Sequence, residues 1–276
     1  MTWHARLQLD YTVEAERCVL RHQHTGPLRI LQSLYPEGDS VCHNVLVHPP
    51  GGLVGGDTLD ISATVGPGAH GLLTTPGATR FYRSAGELAL QRTELTLADG
   101  ARLEWLPLEA LCYDACQAEN RLTMHLAPGA GLLGWDVTAL GLPGAGLPFA
   151  RGQFQQHLEV PGLWLERGLI DATDERLLNS PLGLAGHRCL ASVFFVAGGP
   201  LGREARQGAL DAARAVIDAH SLAATAGATS PNGRVVIVRA LAPLVEPAMD
   251  LMRRVRAVWR AHFWQLPATR PRIWAM

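Results

Sequence analysis

Between Leu88 and Leu97 the apolar residues Leu88, Leu90, Leu95 and Leu97 fall at even spacing around polar ones. A period of two places one set of side chains on each face of a strand, so the pattern marks a half-buried β-strand. Similar short segments recur at Arg6–Leu9, Arg29–Leu34, Asn44–His48, Leu59–Val65 and Arg102–Leu106, then at Leu122–Leu126, Leu132–Val137, Gln153–Val160 and Leu163–Glu166. Gly66-Pro67-Gly68, Ala98-Asp99-Gly100, Pro128-Gly129 and Pro161-Gly162 separate them. With 29 Gly and 18 Pro, about a sixth of the chain is turn-forming, above the usual ~12%. A helical bundle is thereby disfavoured. The pattern predicts a mainly β fold of many short stacked strands, packed either as a sandwich or as a coil of parallel strands. No fixed-period repeat motif is visible.

The last third reads differently. Ala205, Ala209, Ala212, Ala213, Val216, Ile217 and His220 recur at helical spacing within Leu201–Leu222. A second helix is predicted from Val245 to Trp264, with Ala248, Leu251, Met252, Val255, Val258, Trp259 and Phe263 as its apolar stripe and Arg253, Arg254, Arg256 and Arg260 opposite. Between them the β-branched run Arg234–Arg239 predicts a central, well-buried strand. The expectation is one domain over 1–276: a β-rich part, 1–198, then 199–276 with two helices, one strand and a docked apolar C-terminal tail.

Several function classes are excluded. The chain has no lysine, which removes a P-loop and a Schiff base. A net charge of −1 leaves no footprint for nucleic acid or membrane. The N-terminal residues show no apolar signal core, and Cys18, Cys42, Cys112, Cys116 and Cys189 are an odd set, so reduced thiols and a cytoplasmic location are expected. There is no G-x-S-x-G, H-E-x-x-H or dinucleotide fingerprint.

Polar chemistry concentrates in Tyr35-Pro36-Glu37-Gly38, Cys42-His43 and His48-Pro49-Pro50-Gly51-Gly52-Leu53-Val54-Gly55-Gly56-Asp57. Cys42, His43 and His48 are metal-ligand types, but they lack the paired spacing of a closed zinc site, as do Cys112 and Cys116. On one strand, Cys42 and His43 point to opposite faces. His22 and His24 would share a face. The Arg, Trp and Phe side chains of the second helix are types enriched at protein interfaces.

These segments, with Leu73–Ser84, Leu103–Glu109, Trp135-Asp136, Phe149–Gly152 and Pro271-Arg272-Ile273-Trp274, resemble the urease accessory protein UreD (UreH) family, in order from about residue 30 to the C-terminus. Two places depart from the family pattern. Leu142 and Gly146-Leu147 stand where its loop usually carries an Arg and a Gly-Glu pair, and Arg80 stands where Lys is usual. The resemblance implies a β-rich scaffold and no enzymatic activity. It implies binding to UreF and, through it, to the GTPase UreG, docking onto apo-urease, and transient passage of Ni2+ with no tightly bound cofactor. An ion path would draw on Glu37, His43, Asp57, Glu104 and Asp136; the competing reading is that Asp57 and Glu104 fix turns and strand ends. The Arg- and aromatic-rich second helix and the Ile273-Trp274 end are expected at or under the partner surface, through Arg253, Arg256, Trp259, Arg260, Phe263 and Trp274. A carbohydrate-active or other small-molecule enzyme is the alternative, and it requires paired carboxylates beside a stacking tryptophan such as Trp105 or Trp135.

Overall fold

The computed structural model describes residues 2–275. Its strands alternate between two sheets as the chain advances. In one sheet β1 (His4–Glu14), β5 (Thr58–Val65), β8 (Ala89–Leu97), β11 (Cys116–Leu126) and β13 (Gly152–Val160) run parallel in sequence order. In the other, β4 (Cys42–Val47), β6 (His70–Thr74), β9 (Arg102–Leu106) and β12 (Gly131–Leu140) do the same. Successive coils therefore stack, which decides for the coil of parallel strands over the sandwich. Antiparallel hairpins close the first sheet: β2 (Arg17–Thr25) on β1 and β14 (Trp164–Asp171) on β13. The second sheet starts at β3 (Arg29–Ile30), beside β4, and extends past β12 through β15 (Cys189–Ala197), β17 (Val235–Ala242) and β16 (Ala226–Asn232). Short β7 (Thr79–Phe81) and β10 (Ala110–Cys112) pair along the side of the coil.

The corner between the sheets repeats. Gly66–Ala69, Ala98–Ala101 and Ala127–Ala130 each form a turn closed by a hydrogen bond from the fourth residue to the first, at 3.1, 3.1 and 3.2 Å. Each has Gly third, at positive φ, and a buried Ala fourth. The motif recurs at about thirty-residue intervals, so a repeat exists where no fixed period was legible. Strand and loop lengths vary enough to hide it. The turns also stack on one another. A Cβ at Gly129, where φ is +78°, would lie 2.3 Å from Oδ1 of Asp99 in the turn of the preceding coil.

Two cores follow. Inward residues of the sheets, such as Leu7, Ile61, Leu95 and Met124 against Leu73, Leu103 and Leu132, fill the coil. The other face of the second sheet, with Leu106, Leu133, Trp135, Val193 and Val236, packs under α2 (Arg203–Asp218) and α3 (Val245–Trp264) through Ala209, Ala213, Met252, Val255 and Trp259. That double coverage explains why every residue of β12 is buried. Val235–Val238 form the buried central strand expected from their β-branched run. A short helix α1 (Glu175–Asn179), capped by Asp174, was not foreseen.

Gly129→Val should destabilise the chain by about 1–3 kcal/mol through left-handed strain and the clash with Asp99. Gly162→Val keeps the strain but meets open space, so urea denaturation should show a smaller loss.

Candidate functional site

Two polar centres stand out, one on each face of the second sheet. The first lies beneath α3. Glu104 on β9 shares its face with Leu106 and is fully buried. Arg256 grips its Oε2 from Nε at 2.7 Å and from Nη2 at 2.6 Å, and Arg260 Nε donates to Oε1 at 2.9 Å. Arg260 also grips Glu37, at 2.8 and 2.6 Å, and His43 Nε2 lies 2.7 Å from the same carboxylate. His70 Nε2 sits 3.4 Å from Glu104 and packs edge-on against Trp264. Arg256 donates to the Thr269 carbonyl at 3.0 Å and Arg260 to that of Pro267, so the clasp also holds the chain beyond α3.

Burial alone would raise the Glu104 pKa. The charges of Arg256 and Arg260 and the contact with His70 outweigh it and hold the carboxyl well below its ordinary value. Glu37 is also lowered, its burial outweighed by hydrogen bonds from His43 and Arg260. Two carboxylates thus meet two guanidiniums, and the negative charge is already balanced.

This corrects the assignment of helix faces. Arg256, Trp259 and Arg260 are buried, not displayed: α3 turns both arginines toward the sheet because buried carboxylates await them there. Trp259 donates to the Ala209 carbonyl at 2.8 Å. Phe263 stacks on Phe195, and Trp274 packs on Trp135 with its Nε1 donating to Thr74 at 2.9 Å. Arg253 lies over the Trp274 ring at 5.2 Å.

The second centre is inside the coil. Gln91, Asn120 and Gln156 form one cross-strand row on β8, β11 and β13, facing inward. Gln91 donates to Asn120 at 3.2 Å, and Asn120 donates to Asp136 at 3.0 Å. Gln156 and Thr138 donate to the other Asp136 oxygen, at 2.5 and 3.3 Å. Desolvation raises the Asp136 pKa, with these donors opposing it. Among the described residues no cation pairs with this carboxylate. Asn120 and Gln156 are only half-buried, while Leu122 and Leu158 on the same inward faces are buried, so the row borders space that reaches solvent. Neighbour spacing in sequence could not reveal this row, because its members come from three separate strands and the carboxylate they reach from a fourth.

The remaining expected residues have structural partners. Asp57 fixes its glycine-rich turn by accepting from the Trp3 and Val54 amides, each at 3.0 Å. Cys42 and His43 do point to opposite faces of β4, the thiol into the coil and the imidazole toward Glu37. Cys112 and Cys116 are buried free thiols, and the His22 and His24 rings stack with centroids 6.2 Å apart. Among the described residues no cluster of three or more His, Cys, Asp and Glu has the placement to hold a metal ion, and no helix is long and apolar enough to cross a membrane.

A stacked β-coil roofed by two helices, with one balanced ionic clasp and one polar row in a largely apolar interior, defines a β-solenoid-like protein. Residues 4–275 match the family model described as UreD urease accessory protein, and the chain belongs to that family. It is 73% identical to the urease accessory protein UreD of Paracidovorax citrulli over the whole of both chains, and 70% identical to that of Polaromonas naphthalenivorans, again over full length. The protein of the same name from Methylibium petroleiphilum is 50% identical over 99% of each chain.

Glu104→Gln should cost about 3–5 kcal/mol at pH 7, because two buried guanidiniums lose their shared anion. The folded carboxyl titrates below its unfolded value of about 4.3, so its stabilisation is present above about pH 4.3 and lost as pH falls through the folded value. Urea titrations across that range should therefore show a shallower acid limb in the variant than in the parent.

Proposed function

We propose that this protein is a non-enzymatic scaffold of urease maturation. In this reading it docks onto apo-urease, binds UreF and through it UreG, and lets nickel cross its interior without a resident cofactor, in the cytoplasm. The observation that carries the reading is Asp136: a lone carboxylate inside the coil, held by amides and a hydroxyl and neutralised by no cation. Nickel favours oxygen and nitrogen ligands, and one carboxylate among neutral oxygens binds weakly enough to let an ion leave. Asp136 would bear the ion's charge, and Asn120 and Gln156, whose NH2 groups donate to it, would turn their amide oxygens to the ion. Glu37, His43 and Glu104 lie on the opposite face of the second sheet, the two carboxylates held by arginines and His43 by Glu37, so their part would be to hold the wall. Asp57 would keep its turn closed.

Partner docking is assigned to the outer side of α3 and the tail. Arg253, half-exposed, lies over the Trp274 ring, and Phe263, also half-exposed, stacks on Phe195 further along α3, while Arg256, Trp259 and Arg260 are buried. The enzymatic alternative finds no comparable support: Trp135 is buried under Trp274, and the cavity that Trp105 lines contains no carboxylate.

Two experiments test the reading. Asp136→Ala, co-expressed with the accessory proteins and apo-urease, should assemble complexes of unchanged mass, yet lower the nickel content and activity of the urease by about tenfold or more. Normal activation would contradict the ion path. Adding UreF should slow hydrogen exchange across 251–274, and unchanged exchange would move the docking surface elsewhere.

A further inference from the structure

A cavity of about 240 Å3 opens on the side of the coil, between the loop after β4 and the turn before β7. Its floor is apolar, with Leu46, Leu59, Ile61 and Trp105. Its polar lining consists of Arg80, His48, Gln91, Thr75 and Thr79, and no Asp or Glu.

The charged and polar groups are under-used. Arg80 makes no ion pair among the described residues; it reaches only the Gly51 carbonyl, at a long 3.4 Å. A half-buried guanidinium whose one acceptor among the described residues is a long carbonyl contact keeps donors free for an oxyanion in the cavity it lines. The Nε2 atom of His48 is buried and has no hydrogen-bond partner. Burial lowers the His48 pKa, with Asp57 opposing, so near neutral pH the ring is an uncharged donor and acceptor. Thr75 holds the turn, donating to the Gly77 carbonyl at 2.9 Å and accepting from the Leu108 amide at 2.8 Å. The wall that carries Arg80 is therefore fixed.

We infer that this cavity is a binding site for a small oxyanion of the size of bicarbonate or inorganic phosphate, held by Arg80 with His48 and Gln91 as polar partners. The guanidinium fork matches two oxygens of such an ion, and a planar or tetrahedral oxyanion fits the volume. The charge is of the wrong sign for the mouth of a cation path, so the cavity would take a different class of ligand from the Asp136 row, which it adjoins through Gln91. The inference goes beyond the nickel reading and does not rest on it.

Isothermal titration calorimetry of the full chain with bicarbonate and with phosphate, against chloride at equal ionic strength, tests the site. Saturable binding of either oxyanion at one equivalent is expected, and which of them binds identifies the source of the ligand. Arg80→Gln should weaken it by about tenfold or more, and Arg80→Lys by less, since the charge is kept. Arg92→Gln, on the exposed outer face and paired with Asp60, should leave it unchanged. Should Arg80→Gln fail to fold, Gln91→Leu provides the second variant, again expected to weaken binding. Absence of binding above the chloride background, or binding by Arg80→Gln as tight as by the parent, would overturn the inference.

Discussion

Everything on the helix side of the molecule hangs on one buried carboxylate. Glu104 is fully buried on a largely apolar sheet face that also carries His43 and His70, and only charge compensation makes that position tolerable. Arg256 and Arg260 supply it from successive turns of α3, which sets both the rotation and the seating of that helix. The same two arginines hold the carbonyls of Pro267 and Thr269 and, through Glu37, the segment before β4. Residues more than two hundred positions apart thus close on one point. The apolar contacts around Trp259 and Phe195 add bulk stabilisation, but they do not specify orientation in this way.

Much of the fold was readable because its signals are local. The period-two strands, the β-branched run of β17 and the stripe of α3 appear where the sequence put them. The choice between coil and sandwich was not readable: both demand the same alternation, and only strand pairing distinguishes them. The repeated corner was missed because its signature is four residues long and its period varies. The placement of Arg256 and Arg260 failed for a physical reason. Arginine on a helix is ordinarily solvated, and nothing near it in sequence announces a buried carboxylate some hundred and fifty residues away.

The candidate site followed the same division. Glu37, His43 and Glu104 were singled out and do meet, yet they meet as an ionic clasp around arginines. Asp57 turned out to be engaged in its own turn. Asp136 has no cation partner among the described residues; Asn120 and Gln156, which donate to it, and Gln91, which donates to Asn120, come from three strands that pairing brings into one row. The chain belongs to the UreD urease accessory protein family, and the proposed ion path places this row, a single carboxylate among amides, in that context.

The most direct test is to locate the ion. Crystals of the chain with its accessory partners, soaked in nickel and measured at the nickel absorption edge, would show where the metal resides by anomalous scattering. The account predicts a peak between the two sheets within coordination distance of the Asp136 carboxylate. Peaks confined to surface imidazoles such as His22 and His24, with none inside the coil, would contradict it.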